Sequence, residues 1–205
     1  MFKELLLGLV TQGLADLAQA QENGKVPKNS LSESHFFSVW IGQAIKSKRF
    51  DVCLFPLLKR WQQEARTSGA GADLKTTFAQ LKSTYSGVVG QPAATKETLA
   101  QLVLLLDAQQ WQVTTDTMLG KKTSIKSQGN SSLVIAPTEF DNGFNKSSQI
   151  SCYVRGDQQQ FIDACYSLGL LVFKKTEYKS IVKFHSHMTL DADNNDQALP
   201  AYPSI

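Results

Sequence analysis

Hydrophobic positions in the first half of the chain recur three and four residues apart. Between Phe2 and Gln21 this spacing produces one continuous apolar stripe with polar residues on the opposite side. Such a stripe is typical of a helix that lies on a hydrophobic core. The pattern predicts a first helix that Asn23-Gly24 ends. Its expected core positions are Leu6, Leu9, Val10, Leu14, Leu17 and Ala20.

A second helix is predicted from a capping-box pattern. Ser30 and Glu33 have the spacing at which a serine hydroxyl and a glutamate carboxylate satisfy unpaired backbone N–H groups of a first turn. His35 in that turn is expected to be packed or to act as a cap. The expected core side of the helix consists of Phe37, Trp40, Ile41, Ala44 and Ile45. Its C-terminal end carries cations, which the helix dipole favours there.

Three further helices complete the predicted N-terminal half. Pro56 is compatible with a helix only in the first turn, so the third helix is expected to start there and to run to about Thr67. Asp73 can cap a fourth helix, and Thr95 opens a fifth. Consecutive amphipathic helices of this kind pack as an antiparallel bundle.

The pattern changes near Trp111 from helical to strand periodicity. Residues 113–115 and 133–136 are rich in β-branched and apolar side chains, which favour strands. Residues 150–155 alternate between apolar and polar, the period of a half-buried strand. This alternation places Cys152 on the apolar side.

One helix and two more strands are expected after the alternating strand. Asp157 is a good N-cap for the helix, and Gly169 suits the left-handed residue that ends it. The strands are predicted over Leu170–Lys175 and Ser180–Met188, joined by a short turn. They complete a sheet that is mainly antiparallel.

We therefore predict an α+β fold with an N-terminal antiparallel helical bundle over residues 1–110. A small α+β domain, with a mainly antiparallel sheet and one helix, follows over residues 111–190. Residues 191–205 carry three aspartates and no lysine or arginine. We expect this acidic tail to be flexible or to lie on the surface.

Composition places the chain among ordinary folded proteins. Of 205 residues, 42% are hydrophobic and 19% are charged, away from the range of disordered chains. No run approaches the roughly 20 apolar residues that cross a bilayer, so we expect a soluble protein. Three cysteines without Cys-x-x-Cys spacing argue against a disulfide framework or a zinc cluster, and favour reduced thiols in the cytoplasm.

Two basic clusters stand out from a net charge of only +3. Between residues 46 and 66 the charge is +4, and the predicted partner-binding cations are Lys46, Lys48, Arg49, Lys59, Arg60 and Arg66. A second patch, on the predicted C-terminal hairpin, consists of Lys174, Lys175, Lys179 and Lys183. Clustered cations suit an acidic protein or the phosphates of a nucleic acid.

Several short motifs in the helical half resemble a known family. These are His35-Phe-Phe, Trp40, Lys48-Arg-Phe50, Leu58-Lys-Arg-Trp61 and the stretch from Leu74 to Leu81, within a segment from Ser34 to Tyr85. Together they resemble the gammaproteobacterial chains known as domain of unknown function 2913. The resemblance implies a bacterial cytoplasmic protein. It supplies no activity, cofactor or catalytic residue.

The first functional hypothesis is a non-enzymatic interaction protein. In this interpretation the helical half presents its basic surface to an acidic protein or nucleoprotein, and no cofactor is needed. Small inhibitors in conflicts between mobile elements and bacterial hosts act by docking in this way. The sequence does not decide whether the chain is an enzyme, although the absence of a specific catalytic motif favours a binding protein.

Two alternatives remain open at the level of sequence. The first is direct nucleic-acid binding through both basic clusters, with aromatic residues between the hairpin lysines. The second is a metal-dependent hydrolase using His185 and His187, which lie two apart on a strand and therefore share a face. Asp191 or Asp193 would have to complete that metal site. Cys152 is expected in the core and not beside a histidine as a nucleophile.

Overall fold

The computed structural model describes residues 1–120, 130–145, 148–179 and 184–204. Within these ranges the chain forms seven α-helices and five strands, which confirms the α+β class. The helices are α1 (Phe2–Glu22), α2 (Ser30–Lys46), α3 (Phe55–Ser68), α4 (Leu74–Val88), α5 (Lys96–Ala108), α6 (Pro137–Asn142) and α7 (Gln158–Ser167). The strands are β1 (Gln112–Thr114), β2 (Ser132–Val134), β3 (Gln149–Arg155), β4 (Val172–Lys179) and β5 (Phe184–Asp191). Short 3-10 turns at Val52–Leu54 and Gly69–Ala72 precede α3 and α4.

The chain divides into two compact units, residues 1–89 and 90–205. The sequence placed the division near residue 110, so α5 was expected in the helical bundle. In the structure α5 belongs to the second unit, because Leu99, Leu102 and Leu106 join the core of the sheet. Helical periodicity shows that a helix has an apolar side. It does not show which element covers that side.

Four helices build the first unit around an aromatic centre. Helix α1 packs against α2 and α4, and α2 also packs against α3. The Phe78 ring on α4 is fully buried, with its centroid 4.8 Å from that of Phe37 and 5.0 Å from that of Trp61. Trp40 approaches Phe78 edge-on at 6.3 Å. Aromatic pairs at these separations add to the stability gained from burial alone.

The start of α2 corrects the predicted capping box. Asn29 is the N-cap, and its Oδ1 accepts a hydrogen bond of 2.9 Å from the backbone N–H of Ser32. Because the helix starts one residue earlier than predicted, the Glu33 side chain does not reach the cap. It accepts hydrogen bonds from Lys75 and Gln21 instead, each at 2.8 Å. Pro56 and Asp73 have their predicted roles at the starts of α3 and α4.

The second unit is a five-stranded sheet in the order β1-β2-β3-β5-β4. Its strand pairs are antiparallel except for β1 with β2, which is parallel. Helices α5 and α7 share the core with one face of the sheet. The predicted alternation in β3 is confirmed, since Ile150, Cys152 and Val154 are fully buried on that side.

Helix α6 was not predicted from the sequence. It is only six residues long, too short to show a hydrophobic period. Glu139 on this helix accepts a 2.6 Å hydrogen bond from the backbone N–H of Ser151 on β3. Strand β2 pairs with β3 only as far as Tyr153, so it does not reach Ser151. The Glu139 carboxylate therefore supplies the acceptor for the Ser151 N–H that a longer β2 would have supplied.

Several residues of the segment from residue 191 onward, which was predicted to be a flexible or surface-lying tail, are buried or hydrogen-bonded to the rest of the second unit. Asp191 ends β5, and Asp191, Ala192 and Asn194 are buried. The backbone N–H of Ala201 donates to the carbonyl of Val172 at 2.8 Å. These contacts come from residues distant in sequence, so local polarity did not reveal them. Strands β4 and β5 both end later than predicted, at Lys179 and Asp191, and β4 begins later, at Val172. Residues 180–183, where the second strand was predicted to start, lie outside the described residues.

Candidate functional site

All six cations of the first basic cluster are exposed on the helical unit. Lys46 is the last residue of α2, and Lys48 and Arg49 lie in the connection that follows it. Lys59, Arg60 and Arg66 project from α3. The structure therefore places the predicted cluster on two consecutive helices and the segment that joins them.

Arg49 has a structural role that separates it from the other five cations. Its Nη1 lies 3.1 Å from Asp16 Oδ2, and its guanidinium lies 5.7 Å from the centroid of the Trp40 ring and 5.5 Å from that of Phe50. Asp16 also accepts a 2.7 Å hydrogen bond from Trp40 Nε1. Burial alone would raise the pKa of Asp16, but hydrogen bonds from Trp40, Gln12 and Arg49 lower it below its usual value. Arg49 thus connects the end of α2 to α1.

The remaining five cations form what we call the basic surface: Lys46, Lys48, Lys59, Arg60 and Arg66. None of them makes an ion pair with another residue in the described parts of the chain. The nearby acid Asp51 is engaged by the backbone N–H of Cys53, which donates to its side chain at 2.9 Å. Cations that are not neutralised by their own fold remain able to attract an acidic partner.

On α3 the cations lie on both flanks of the exposed side. Lys59 and Arg66 are seven residues apart, so they share one flank and are separated by about 10 Å along the axis. Arg60 lies about 100° further round the helix. The opposite side of α3 is buried through Leu58, Trp61 and other apolar residues.

Helices α2 and α3, which carry the basic surface, approach each other closely at Gly42. A Cβ atom at Gly42 would lie 2.7 Å from the Gln62 side-chain nitrogen, so the two helices meet there. Lys46 lies one turn after Gly42 on α2, and Lys59 lies three residues before Gln62 on α3. The basic surface therefore has members on both of the helices that meet at this contact.

Exposed apolar side chains accompany the cations, and the sequence did not predict them. Val52, between Lys48 and α3, is 74% exposed. Leu31 and Val39 on α2 are 67% and 45% exposed. Leu31, His35 and Val39 recur every four residues, opposite the core side of α2, and this was the signal that could have revealed them. His35 is exposed, which corrects the expectation that it is packed or caps the helix.

Carboxylates of the second unit largely neutralise the charge of the second basic patch. Lys174 Nζ lies 3.0 Å from Glu177 Oε2, and Lys179 Nζ lies 3.4 Å from Glu177 Oε1. Hydrogen bonds from Lys174 and Gln158 hold the pKa of Glu177 at about 2. Lys175 pairs with Asp196. Lys183, the fourth member of the patch, lies outside the described residues.

The two C-terminal histidines share one face of β5, as alternation predicts. The His187 ring stacks on Tyr153 with centroids 5.0 Å apart and planes 13° apart. His185 approaches the same tyrosine edge-on at 5.7 Å and lies 5.1 Å from Tyr178. These contacts make the histidines part of an aromatic cluster on the sheet.

Asp191 is not placed to complete a metal site with these histidines. It lies four residues beyond His187, which is about 13 Å along an extended strand. Its Oδ1 instead accepts the backbone N–H groups of Asp193 and Asn195, at 3.0 and 2.9 Å. Across residues 1–120, 130–145, 148–179 and 184–204 no group of three His, Cys, Asp or Glu is arranged to hold a metal ion.

The cysteines are separate thiols in environments that disfavour the reactive thiolate. Cys152 and Cys165 are fully buried, and burial raises the pKa of both thiols. Cys53 is half-buried, and burial together with the neighbouring Asp51 raises its pKa as well. A cysteine nucleophile requires a lowered pKa, so the described environments suit structural thiols.

Comparisons with known proteins identify a family but no function. A family model described as a protein of unknown function (DUF2913) matches residues 1–203. No curated protein and no solved structure gives a significant match. Among the described residues, no helix combines the length and apolar character that a membrane crossing requires.

Proposed function

We propose that this chain, which belongs to the DUF2913 family, is a non-enzymatic protein that binds an acidic protein through its basic surface. The observation that carries the proposal is the combination of five exposed cations without internal ion pairs and the exposed apolar side chain of Val52 among them. Such a surface is able to attract an acidic partner at long range and to exclude water at short range.

The apolar component favours a protein over a nucleic acid as the partner. Nucleic-acid affinity comes mainly from neutralised phosphates, to which an exposed aliphatic side chain contributes little. Protein interfaces bury apolar side chains at their centre and arrange charges around them. Nucleic-acid binding through both basic clusters is less well supported, because Glu177 and Asp196 already pair with three lysines of the second patch.

A docking protein of this kind fits the role of an inhibitor. It would block an acidic surface of an enzyme or nucleoprotein by occupying it, as inhibitors in conflicts between mobile elements and bacterial hosts do. We place the encounter in the cytoplasm, because the three cysteines are free thiols and two of them are buried in one core without a bond between them.

Charge reversal on α3 tests the proposal. Lys59→Glu with Arg66→Glu alters the basic surface without touching the core, and Lys82→Glu on α4 is an exposed control in the same unit. Purified full-length variants are used to capture proteins from gammaproteobacterial lysate at two salt concentrations. We expect the wild type and the Lys82 variant to capture the same acidic protein, and the double variant to lose it. Capture that is equal for all three variants, or that does not weaken with salt, would contradict the proposal.

A mobility shift with single- and double-stranded oligonucleotides tests the nucleic-acid alternative. We expect the wild type to bind both weakly, and to release them as the salt concentration rises toward physiological values. Tight binding that persists at physiological salt and is lost in the double variant would favour the alternative over a protein partner.

A further inference from the structure

We infer that two copies of this chain associate through the open side of β4, where each copy adds an antiparallel strand to the sheet of the other. The part of the strand that pairs is what we call the β4 edge: Glu177, Tyr178 and Lys179. This inference concerns the second unit and does not depend on the basic surface of the first. It names a second interaction surface, and its occupant is the same chain.

Strand β4 lies at one end of the sheet, so only β5 pairs with it among the described strands. Residues 174–179 are exposed. Among the backbone hydrogen bonds of the described chain, one reaches the other side of β4, from the Ala201 N–H to the Val172 carbonyl. That side is therefore occupied at Val172 and open toward Lys179. A row of open backbone groups is a template for another strand.

The Ser151 N–H shows which way the backbone groups of β5 point. It donates to Glu139 and therefore points away from β5. In an antiparallel pair such a residue is opposite one whose own N–H and C=O also point away, toward the next strand. The residue opposite Ser151 is Thr189, so the backbone groups of Thr189 point to β4. Because successive residues alternate, those of His187 and His185 also point to β4.

The backbone groups of Glu177 and Lys179 consequently point to the open side. Tyr178 is opposite His185, so its N–H and C=O point to β5, and those of its two neighbours point outward. The same alternation makes the Val172 carbonyl point outward, as its hydrogen bond to the C-terminal segment shows. An incoming strand therefore finds donors and acceptors at both ends of the β4 edge.

Opposite charges meet when the twofold axis of the dimer passes through Tyr178. Glu177 of each copy is then opposite Lys179 of the other, and in both pairs the residues exchange their two backbone hydrogen bonds. A carboxylate lies across from an ammonium group in each pair, which stabilises the pairing. An axis through Glu177 or through Lys179 would instead place like charges opposite one another. Charge thus selects one register.

The tyrosine at the axis continues the aromatic cluster of the sheet. Tyr178 is 41% exposed, and its ring centroid lies 5.1 Å from that of His185. Neighbouring residues of a strand alternate between faces, so this ring lies on the opposite face from Glu177. At the axis the two Tyr178 residues form a pair without backbone hydrogen bonds, in which Cα atoms are about 4.5 Å apart and side chains are close. The two rings therefore cover each other.

The features that protect a strand edge lie in the other half of β4. A bulge interrupts the ladder between Lys174 and Thr176, and the C-terminal segment bonds to Val172. The β4 edge has neither of these, and its formal charge is zero because Glu177 balances Lys179. A strand of another protein would need the matching order of charges, whereas a second copy necessarily carries it. The second copy is therefore the favoured occupant.

Sedimentation equilibrium of the full-length protein tests the dimer between about 10 μM and about 1 mM, where weak association is measured. Glu177→Lys and Lys179→Glu should each weaken association about tenfold, because both place like charges opposite one another. An equimolar mixture of these two variants should associate again, since the lysines of one face the glutamates of the other. Glu22→Lys, at an exposed position on α1, is the control and should associate like the wild type.

A cross-link tests the register itself. Tyr178→Cys in a Cys53→Ser background places one thiol of each copy at the axis, where the Cα separation of about 4.5 Å is one that a disulfide spans. Thr176→Cys in the same background is the control, because its two copies would be about four residues, or roughly 13 Å, apart along the strands. With oxidised glutathione as the oxidant, only the first variant should give a covalent dimer rapidly.

Three outcomes would overturn the inference. The first is a wild type that stays monomeric at every concentration, which would leave the β4 edge to a strand of another protein or to no occupant. The second is a dimer that neither charge reversal weakens. The third is equal cross-linking of the two cysteine variants. Thermal unfolding of each variant shows whether a lost dimer reflects a lost fold, and the wild-type concentration series decides the question without any variant.

Discussion

The side chain of Asn194 completes the backbone hydrogen bonding of Leu171, 23 residues earlier in the chain. Asn194 Oδ1 accepts the Leu171 N–H at 2.7 Å, and its Nδ2 donates to the carbonyl of Gly169 at 2.8 Å. Asn194 is buried and has a positive φ of 53°. One amide therefore connects the segment after β5 to the connection between α7 and β4.

Removing this amide should destabilise the second unit. We expect Asn194→Ala to lower the free energy of unfolding by about 2–3 kcal/mol, because the buried N–H of Leu171 and the partly buried carbonyl of Gly169 lose their partner. Urea denaturation measures the change. Asn194→Gly relieves the strain of the positive φ but still loses the hydrogen bonds, so it should recover only part of the loss. Asp193→Ala is the neighbouring control and should have little effect. If Asn194→Ala unfolded at the same urea concentration as the wild type, the two hydrogen bonds of Asn194 would not contribute to stability.

Two glycines on α1 should respond oppositely to alanine. A Cβ atom at Gly13 would lie 2.8 Å from the Phe78 ring and 3.3 Å from that of Trp40, and neither buried ring can move away easily. Gly13→Ala should therefore cost about 1–3 kcal/mol. Gly8 is exposed with no atom near its Cβ position, so Gly8→Ala should stabilise by up to roughly 1 kcal/mol. Thermal unfolding tests whether the melting temperature falls for Gly13→Ala and rises for Gly8→Ala. Equal changes in the two variants would argue against a close approach at Gly13.

Arg49 and Lys46 should differ in their effect on stability although both are exposed cations. Arg49→Ala removes an ion pair with Asp16 and the contacts with two aromatic rings, so we expect a loss of about 1 kcal/mol. Lys46→Ala removes no described contact and should change stability by less than about 0.5 kcal/mol. Chemical denaturation distinguishes the two. If Lys46→Ala destabilised as much as Arg49→Ala, the assignment of Arg49 to the fold would be wrong.

His187 should make the protein less stable as the pH falls below neutrality. Burial lowers its pKa; the charge of Glu139 raises it and that of Lys175 lowers it, with a net downward shift. Its Nε2 is buried without a hydrogen-bond partner among the described residues. The unfolded chain then binds the proton more tightly than the folded one, so stability decreases as the pH falls through about 6.5 toward the folded-state pKa.

Unfolding free energies measured between pH 7.5 and 5.5 test this expectation, a range chosen to lie above the titration of carboxylates, roughly pH 4. His187→Phe keeps an aromatic ring beside Tyr153 but cannot titrate, so its stability should depend less on pH. His35→Gln on exposed α2 is the control and should retain the wild-type dependence. If the unfolding free energy of His187→Phe depended on pH as strongly as that of the wild type, another group would be responsible for the loss of stability at low pH.

Glu177 should limit the attraction of the hairpin for polyanions. Glu177→Gln removes the carboxylate that pairs with Lys174 and Lys179, so two cations become available. We expect this variant to elute from heparin at a higher salt concentration than Glu22→Gln, which removes an exposed charge with no described ion pair. Both variants change the net charge by the same amount. Equal elution would mean that the pairing with Glu177 does not shield the lysines.

The helical half was predictable from sequence because its signals are local. Hydrophobic spacing over Phe2–Gln21, the proline in the first turn of α3 and the cap at Asp73 each act within a few residues. Alternation identified β3 and the shared face of His185 and His187 for the same reason. The short helix α6 was missed because six residues hold too little pattern.

The candidate site was only partly predictable. The sequence located the cations, because the positions of lysine and arginine can be read from it directly. It did not distinguish Arg49, which Asp16 and two aromatic rings engage, from Lys46, which no described residue engages. Nor did it show that Glu177 and Asp196 neutralise the second patch. Ion pairs depend on distances between side chains, and those distances follow from packing.

What the sequence determined by itself is the α+β class, the sites where most elements begin, and the presence of clustered cations near residues 46–66. Tertiary structure alone decided that α5 belongs with the sheet, and that Asn194 is a buried hydrogen-bonding residue in a segment expected to be flexible. The physical reason is that helix and strand preferences arise from neighbours along the chain. Which side is covered, and which charge is neutralised, depends on residues that only folding brings together.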